Sequence, residues 1–235
     1  AQLRSYEHVS KTGESSISAT SGLASGSDIA VTTGSLTIDD GANLLTTAVL
    51  DFGNLLPLST EGRIYQSGDI AIAATDFIRV RGGNAEQDRG LSIIASNTFI
   101  ESNSGSIAIT TPRLFVEDGA GVGTLVLLPL PAMVNTDAEA AIVGQGNGGD
   151  VVIDASSIRG SGMDVTRKIG STLGNLTAGA GDAGNTTLNV QRLVVDNQGI
   201  VNSVTSASGD AGTLSINATQ SVTINQSGDG GIIAN

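Results

Sequence analysis

A motif that returns six times constrains this chain more than any other feature. It reads Gly-(polar)-apolar-x-apolar, then a second apolar-x-apolar pair seven or eight residues on, then usually a Gly turn. The copies are Ile29/Val31 with Leu36/Ile38, Ile70/Ile72 with Ile78/Val80, Ile107/Ile109 with Leu114/Val116, Val151/Ile153 with Ile158, Thr186/Leu188 with Leu193/Val195, and Leu214/Ile216 with Val222/Ile224. Self-similarity of this kind means one supersecondary unit stacked on itself.

Within each pair, apolar and polar residues alternate with the period of a strand. In Gly212-Thr213-Leu214-Ser215-Ile216-Asn217-Ala218, the residues Leu214, Ile216 and Ala218 share one face. No helical stripe persists for three turns. The near-constant gap between the pairs fits two short strands joined by a bend of about three residues. That is too short for a crossover within one parallel sheet but suits a corner between two sheets. The stretch 214–235 gives the minimal unit, with Ile232/Ile233 as a third strand. Three strands per turn, each on its own sheet, describe an all-β parallel β-helix, or β-solenoid. At roughly 22–28 residues per turn, residues 1–235 form a single domain of about eight to eleven turns, a rod on the order of 40–50 Å long.

Successive copies begin 41, 37, 44, 35 and 28 residues apart. The longer intervals hold either an insertion or an extra turn. Insertions are expected near 42–63, 120–145 and 161–180, emerging from similar places in the unit. They are richer in apolar residues than a solvated loop needs, so Leu55, Leu56, Leu127, Leu128, Leu130 and Met133 are candidates for an interaction loop. The alternatives are that they cover the side of the rod or belong to drifted turns.

Composition narrows the function. The hydrophobic fraction is 39%, yet there is no Trp and only four Phe, which suits a narrow interior of aliphatic ladders. The net charge of −12 argues against nucleic acid and anionic lipid as partners. The absence of Cys excludes a disulfide or a thiolate metal site. No apolar run reaches the roughly 18–20 residues of a membrane-spanning helix. Ala1–Ser10 lacks the apolar centre of a signal peptide, and the chain stops inside a motif at Gly230–Asn235. It therefore reads as a piece of a longer protein.

Catalytic parts are sparse. His8 is the only histidine and lies near one end, and no G-x-S-x-G is present, which leaves no basis for a Ser/His/Asp relay. Asp39, Asp40, Glu117, Asp118, Asp150, Asp154, Asp182 and Asp210 lie near turns, where Asp-Gly and Gly-Asp serve bends. No cofactor is expected; Ca2+ at Asp118, Asp150 and Asp154 is the alternative. Arg79, Arg113, Arg159 and Arg192 recur beside the second apolar pair and could form a column. With Asp76, Asp154 and Asp196 they supply parts for a polysaccharide lyase or glycosidase, though outward polar positions explain them equally well.

Gly149-Asp150-Val151-Val152-Ile153-Asp154-Ala155, the run Ala183–Asp196 and Ala211–Ala218 resemble repeats of filamentous-haemagglutinin-like exoproteins. The "GNGGD" before one strand and "LVVDNQG" after another look most like the large cyanobacterial members. The resemblance covers most of Ser27–Asn235 and is strongest from Gly144 onward. It implies a right-handed parallel β-helix, export by two-partner secretion through an outer-membrane transporter, and a role as a surface adhesin or matrix component, with no catalytic residues carried over. The amino-terminal secretion-domain signature with its Asn-Pro motifs is not in this stretch. The reading is thus a non-enzymatic, extracellular or outer-surface β-solenoid whose partners are the transporter and cell-surface or matrix polysaccharide or protein. An open terminal strand adds self-association end to end. A polysaccharide-active β-helix enzyme and a cation- or glycan-binding module are the alternatives.

Overall fold

The computed structural model describes residues 16–21, 26–48, 66–82, 91–99, 102–127, 146–178, 180–206, 208–225 and 232–234. Among the described residues there is no helix. The strands are β1 (Ser16–Ser21), β2 (Ile29–Ile38), β3 (Asn43–Ala48), β4 (Ile70–Arg81), β5 (Ile93–Phe99), β6 (Ile107–Glu117), β7 (Gly121–Leu127), β8 (Val151–Ser161), β9 (Met163–Asp164), β10 (Ile169–Gly170), β11 (Thr172–Thr177), β12 (Thr186–Asp196), β13 (Ile200–Thr205), β14 (Leu214–Ile224) and β15 (Ile232–Ala234). Each motif copy forms one long strand, and the six lie side by side in one sheet, in the order β14-β12-β8-β6-β4-β2. A second sheet, β1-β3-β5-β7-β11-β13-β15, holds the shorter strands. Both sheets are parallel throughout.

The two apolar pairs of a copy are not separate strands on separate sheets. They are two arms of one bent strand. In β6, alternation brings Ile107, Ile109 and Thr111 inward; Pro112 and Arg113 then both face out, and Leu114 and Val116 face in again. Two outward residues in succession reverse the phase and turn the strand about the core. Register shifts mark the bend at Thr33/Ser35, Ala73/Ile78 and Val190/Arg192. Pairing resumes on the second arm of every strand, so one sheet spans the corner.

Register places like over like. One inward column runs Ile29, Ile70, Ile107, Val151, Thr186, Leu214, and another Leu36, Ile78, Leu114, Ile158, Leu193, Val222. The aliphatic side chains of these columns, Val222 excepted, join Leu44, Ile94, Val122, Leu173 and Val201 from the short sheet in one continuous core cluster. Full burial of each aliphatic side chain contributes roughly 1.5–3 kcal/mol.

The short strands carry a different interior. Thr46, Ser96, Thr124, Asn175 and Ser203 are paired in register and buried. Each binds a glycine carbonyl of the adjoining corner: Thr46 Oγ1 donates to Gly68 at 2.6 Å, Asn175 Nδ2 to Gly184 at 2.7 Å, and Ser203 Oγ to Gly184 at 2.9 Å. Ser96 and Thr124 reach the Gly68 and Gly149 carbonyls at 3.2 Å. A buried polar column therefore fixes the corner backbone at one side of an aliphatic core.

A level consists of one long strand and the short strand that follows it. Consecutive motif copies pair directly, so the intervals of 41, 37 and 44 residues contain excursions and no hidden turn. The described residues build six levels preceded by β1, fewer than the eight to eleven turns that length alone suggests. Five spacings of about 4.8 Å give a stack roughly 24 Å high across the long sheet. The stretches expected as insertions each include a regular strand, β3, β7 or β11. Residues 49–65 and 128–145 lie outside the described residues, as do Leu55, Leu56, Leu128, Leu130 and Met133; Leu127 ends β7. The third excursion does not share their place in the unit. It is the β9–β10 antiparallel hairpin, which comes before the short strand β11, whereas 49–65 and 128–145 come after one.

Candidate functional site

Two kinds of corner separate the strands. Between a long strand and the next short one, Asp40-Gly41, Asp118-Gly119 and Asn197-Gln198 all have positive φ. The residue after each pair closes the turn: the Ala42 N–H donates to Asp39 O at 2.9 Å, Ala120 to Glu117 at 3.1 Å, and Gly199 to Asp196 at 2.8 Å. These are type I′ turns, for which Asp, Asn and Gly are the suited residues.

The other corner precedes β4, β6, β8, β12 and β14 and repeats a tetrapeptide: Gln66-Ser67-Gly68-Asp69, Asn103-Ser104-Gly105-Ser106, Asn147-Gly148-Gly149-Asp150, Asp182-Ala183-Gly184-Asn185 and Asp210-Ala211-Gly212-Thr213. The third residue is Gly because successive corners touch. A Cβ at Gly105, Gly149, Gly184 or Gly212 would occupy the carbonyl of the glycine one level before.

The first and fourth residues form two rails of hydrogen bonds along the stack. On one rail, Asn103 Oδ1 accepts from the Asn147 N–H at 2.8 Å, Asn147 Oδ1 from Asp182 at 2.9 Å, and Asp182 Oδ1 from Asp210 at 2.8 Å. On the other, Asp28, Asp69, Ser106, Asp150 and Asn185 each accept from the backbone N–H of the next level, at 2.7–3.2 Å. Between the rails lies an open depression of about 270 Å³ spanning three levels, bounded by Gln66, Asn103, Ser106, Asn147, Gly148 and Asp150 among others. Asp150 is the one carboxylate among its described lining residues.

The outer side of the second arm carries most of the remaining chemistry. The four Arg expected in one column fall in two. Arg79 and Arg159 flank Phe115 in one, and Arg113 and Arg192 flank Ser157 in the other. The sequence held the signal: Arg79 and Arg159 follow an inward aliphatic residue, whereas Arg113 and Arg192 precede one. Arg79 lies 5.0 Å from the Phe115 ring centre, and Arg113 lies 5.8 Å from that of Phe77. Arg113 pairs with Asp76, Arg159 with Asp196 at 3.2 Å, and Arg79 with Glu117 at 3.4 Å. The face is thus a mesh of internally matched charges and half-buried rings.

The three metal candidates are dispersed. Asp150 belongs to a rail; Asp154 faces outward on the first arm and accepts from Asn189 Nδ2 at 2.8 Å; Asp118 sits in a type I′ turn, 3.5 Å from Arg81. No group of three or more metal-binding side chains occurs among the described residues. Among the described residues one acidic side chain is buried instead, Asp164 in the hairpin. It accepts from the Thr166 and Arg167 N–H groups at 2.9 Å and from Arg167 Nη1 at 2.6 Å. The Arg167 N–H, above all, holds this carboxyl below the usual aspartate range, against the opposing effect of burial.

No protein-family model, no curated protein and no solved structure matches the chain.

Proposed function

We propose that this chain is a non-enzymatic, right-handed β-solenoid segment of an exported bacterial exoprotein of the filamentous-haemagglutinin-like kind, a rigid adhesive or matrix element at the cell surface. The observation that carries the reading is the direct stacking of all six motif copies in register. Each level repeats the same aliphatic columns and rails, which is how a chain extends a rod by adding units. The right hand follows from the strong preference of crossovers between parallel strands, and the motif resemblance supplies the export route, through an outer-membrane two-partner transporter. On this reading the open edge of β14, where Val222 and Ile224 are exposed, suits a further level from whichever chain supplies it.

An enzymatic reading gains less support. Glycoside hydrolysis uses a pair of carboxylates, and the described lining of the depression holds one. Asp76 and Asp196 are engaged by Arg113 and Arg159 on the outward face of the second arm, and Asp154 lies on the first.

Antibody labelling of intact source cells tests the proposal. Surface label that disappears when the paired outer-membrane transporter is deleted is the expected result. Label found only after the cells are opened, with or without the transporter, overturns it.

A further inference from the structure

We propose that the depression between the two rails binds an uncharged, extended polysaccharide strand lying along the stacking axis. This deepens the surface-adhesive reading and rests on it, since it names the ligand class of a face the rod would present.

The argument begins with what the rails leave over. Asn103 and Asn147 each use Oδ1 to hold the next level, so each carries its Nδ2 as a donor without a partner among the described residues. Asp150 uses Oδ1 for Asn185 and keeps Oδ2 as an acceptor. The side chains are held in place by the ladder, so their spare donors and acceptors are fixed before any ligand arrives. Gly148 leaves the lining without a side chain. A site that offers amide donors and a carboxylate acceptor suits a ligand rich in hydroxyl groups.

Spacing selects a chain. The rails repeat at the strand separation of about 4.8 Å. A β-1,4-linked pyranose chain in its extended form advances by about one such spacing per sugar and turns over at each link, so the same edge of the chain returns at every second level. An extended peptide rises about 3.3–3.4 Å per residue and falls out of phase. Charge selects further: Asp69, Asp150, Asp182 and Asp210 stand on the rails of a molecule with net charge −12, which disfavours a polyanion. The depression has no aromatic platform among its described lining residues, so on these residues each sugar is held weakly and affinity accumulates along the chain.

Isothermal titration with cellohexaose, chitohexaose and maltohexaose tests this. Saturable binding of at least one of the two β-linked hexaoses is expected, with little from the coiled maltohexaose. Affinity should rise with length from the disaccharide and level off at about three sugars, the number of levels the depression spans. The double variant Asn103→Asp, Asn147→Asp keeps both ladder acceptors, as Asp182 does naturally, and removes both amide donors. It should raise Kd at least fivefold with an unchanged unfolding midpoint, while Phe77→Ser with Phe115→Ser, on the outward face of the second arm, leaves Kd as it was. Three results overturn the proposal: no binding of any hexaose, equal binding of maltohexaose, or loss of binding only in the Phe variant. None of them affects the surface-labelling result, so failure here is distinct from failure of the exported-rod reading.

Discussion

Gly149 lies one level beyond Gly105, so close that a methyl group on its α-carbon would overlap the Gly105 carbonyl. The contact is backbone on backbone. No side-chain rotation relieves it, and the same approach recurs at Gly184 and Gly212. Gly149→Ala should therefore force the corner open and destabilise the fold by about 1–3 kcal/mol or more. Urea unfolding measures it; a midpoint equal to that of the parent would mean that the corners do not touch.

Gly160 gives the opposite expectation. It stands in the core column between Val116 and Val195, where the other described levels place Ile38, Val80 and Ile224. It is buried, and a Cβ added there meets nothing within 4 Å. Gly160→Ala should stabilise by about 0.5–1.5 kcal/mol, from reduced freedom of the unfolded chain and one buried methyl. A lower urea midpoint would show that this slot has no room.

The contrast between these glycines also shows what the amino-acid sequence made legible. The long strands were readable because their inward residues are aliphatic at strand period, as in Ile107, Ile109, Leu114 and Val116. The level count and the bounds of the excursions were not, because β3, β5, β11 and β13 turn Thr46, Ser96, Asn175 and Ser203 inward. Burial of hydrogen-bonded polar groups hides a strand from any hydrophobic pattern. The bend is hidden for a related reason: two outward residues such as Pro112 and Arg113 look like a loop, yet the sheet passes through them. Asn and Asp at the glycine corners were legible as turn formers, but their second role, bonding the next level, requires knowing which corner lies over which.

Asn175 links two parts of the polar column. Its Oδ1 accepts from Thr124 Oγ1 at 2.7 Å, and its Nδ2 donates to the Gly184 carbonyl. Asn175→Ala should cost about 1–3 kcal/mol, because a buried hydroxyl loses its best acceptor. Thr124→Val in the same background should cost less than it does alone, since the bond it would break is already gone. A double-mutant cycle in urea measures the coupling, and strict additivity would remove Asn175 as the link.

Asp164 governs the acid response of the β9–β10 hairpin. Its carboxylate accepts two backbone N–H groups and the Arg167 guanidinium, and it ionises below its ordinary range in the folded state. A carboxyl whose folded pKa is depressed contributes stability that is complete above its unfolded pKa of about 3.9 and is lost as pH falls through the folded value. The hairpin should therefore keep its amide protection at pH 5 and lose it progressively below about pH 4, with the Thr166 and Arg167 amides among the first to exchange. Asp164→Asn retains the shape but not the charge, so its hairpin should be weaker at pH 5 and nearly indifferent to pH below that. Hydrogen exchange at Thr166 and Arg167 across this window, with a direct NMR titration of the Asp164 carboxyl, provides the check. A carboxyl that titrates at or above the ordinary aspartate value would contradict the role assigned to these three donors.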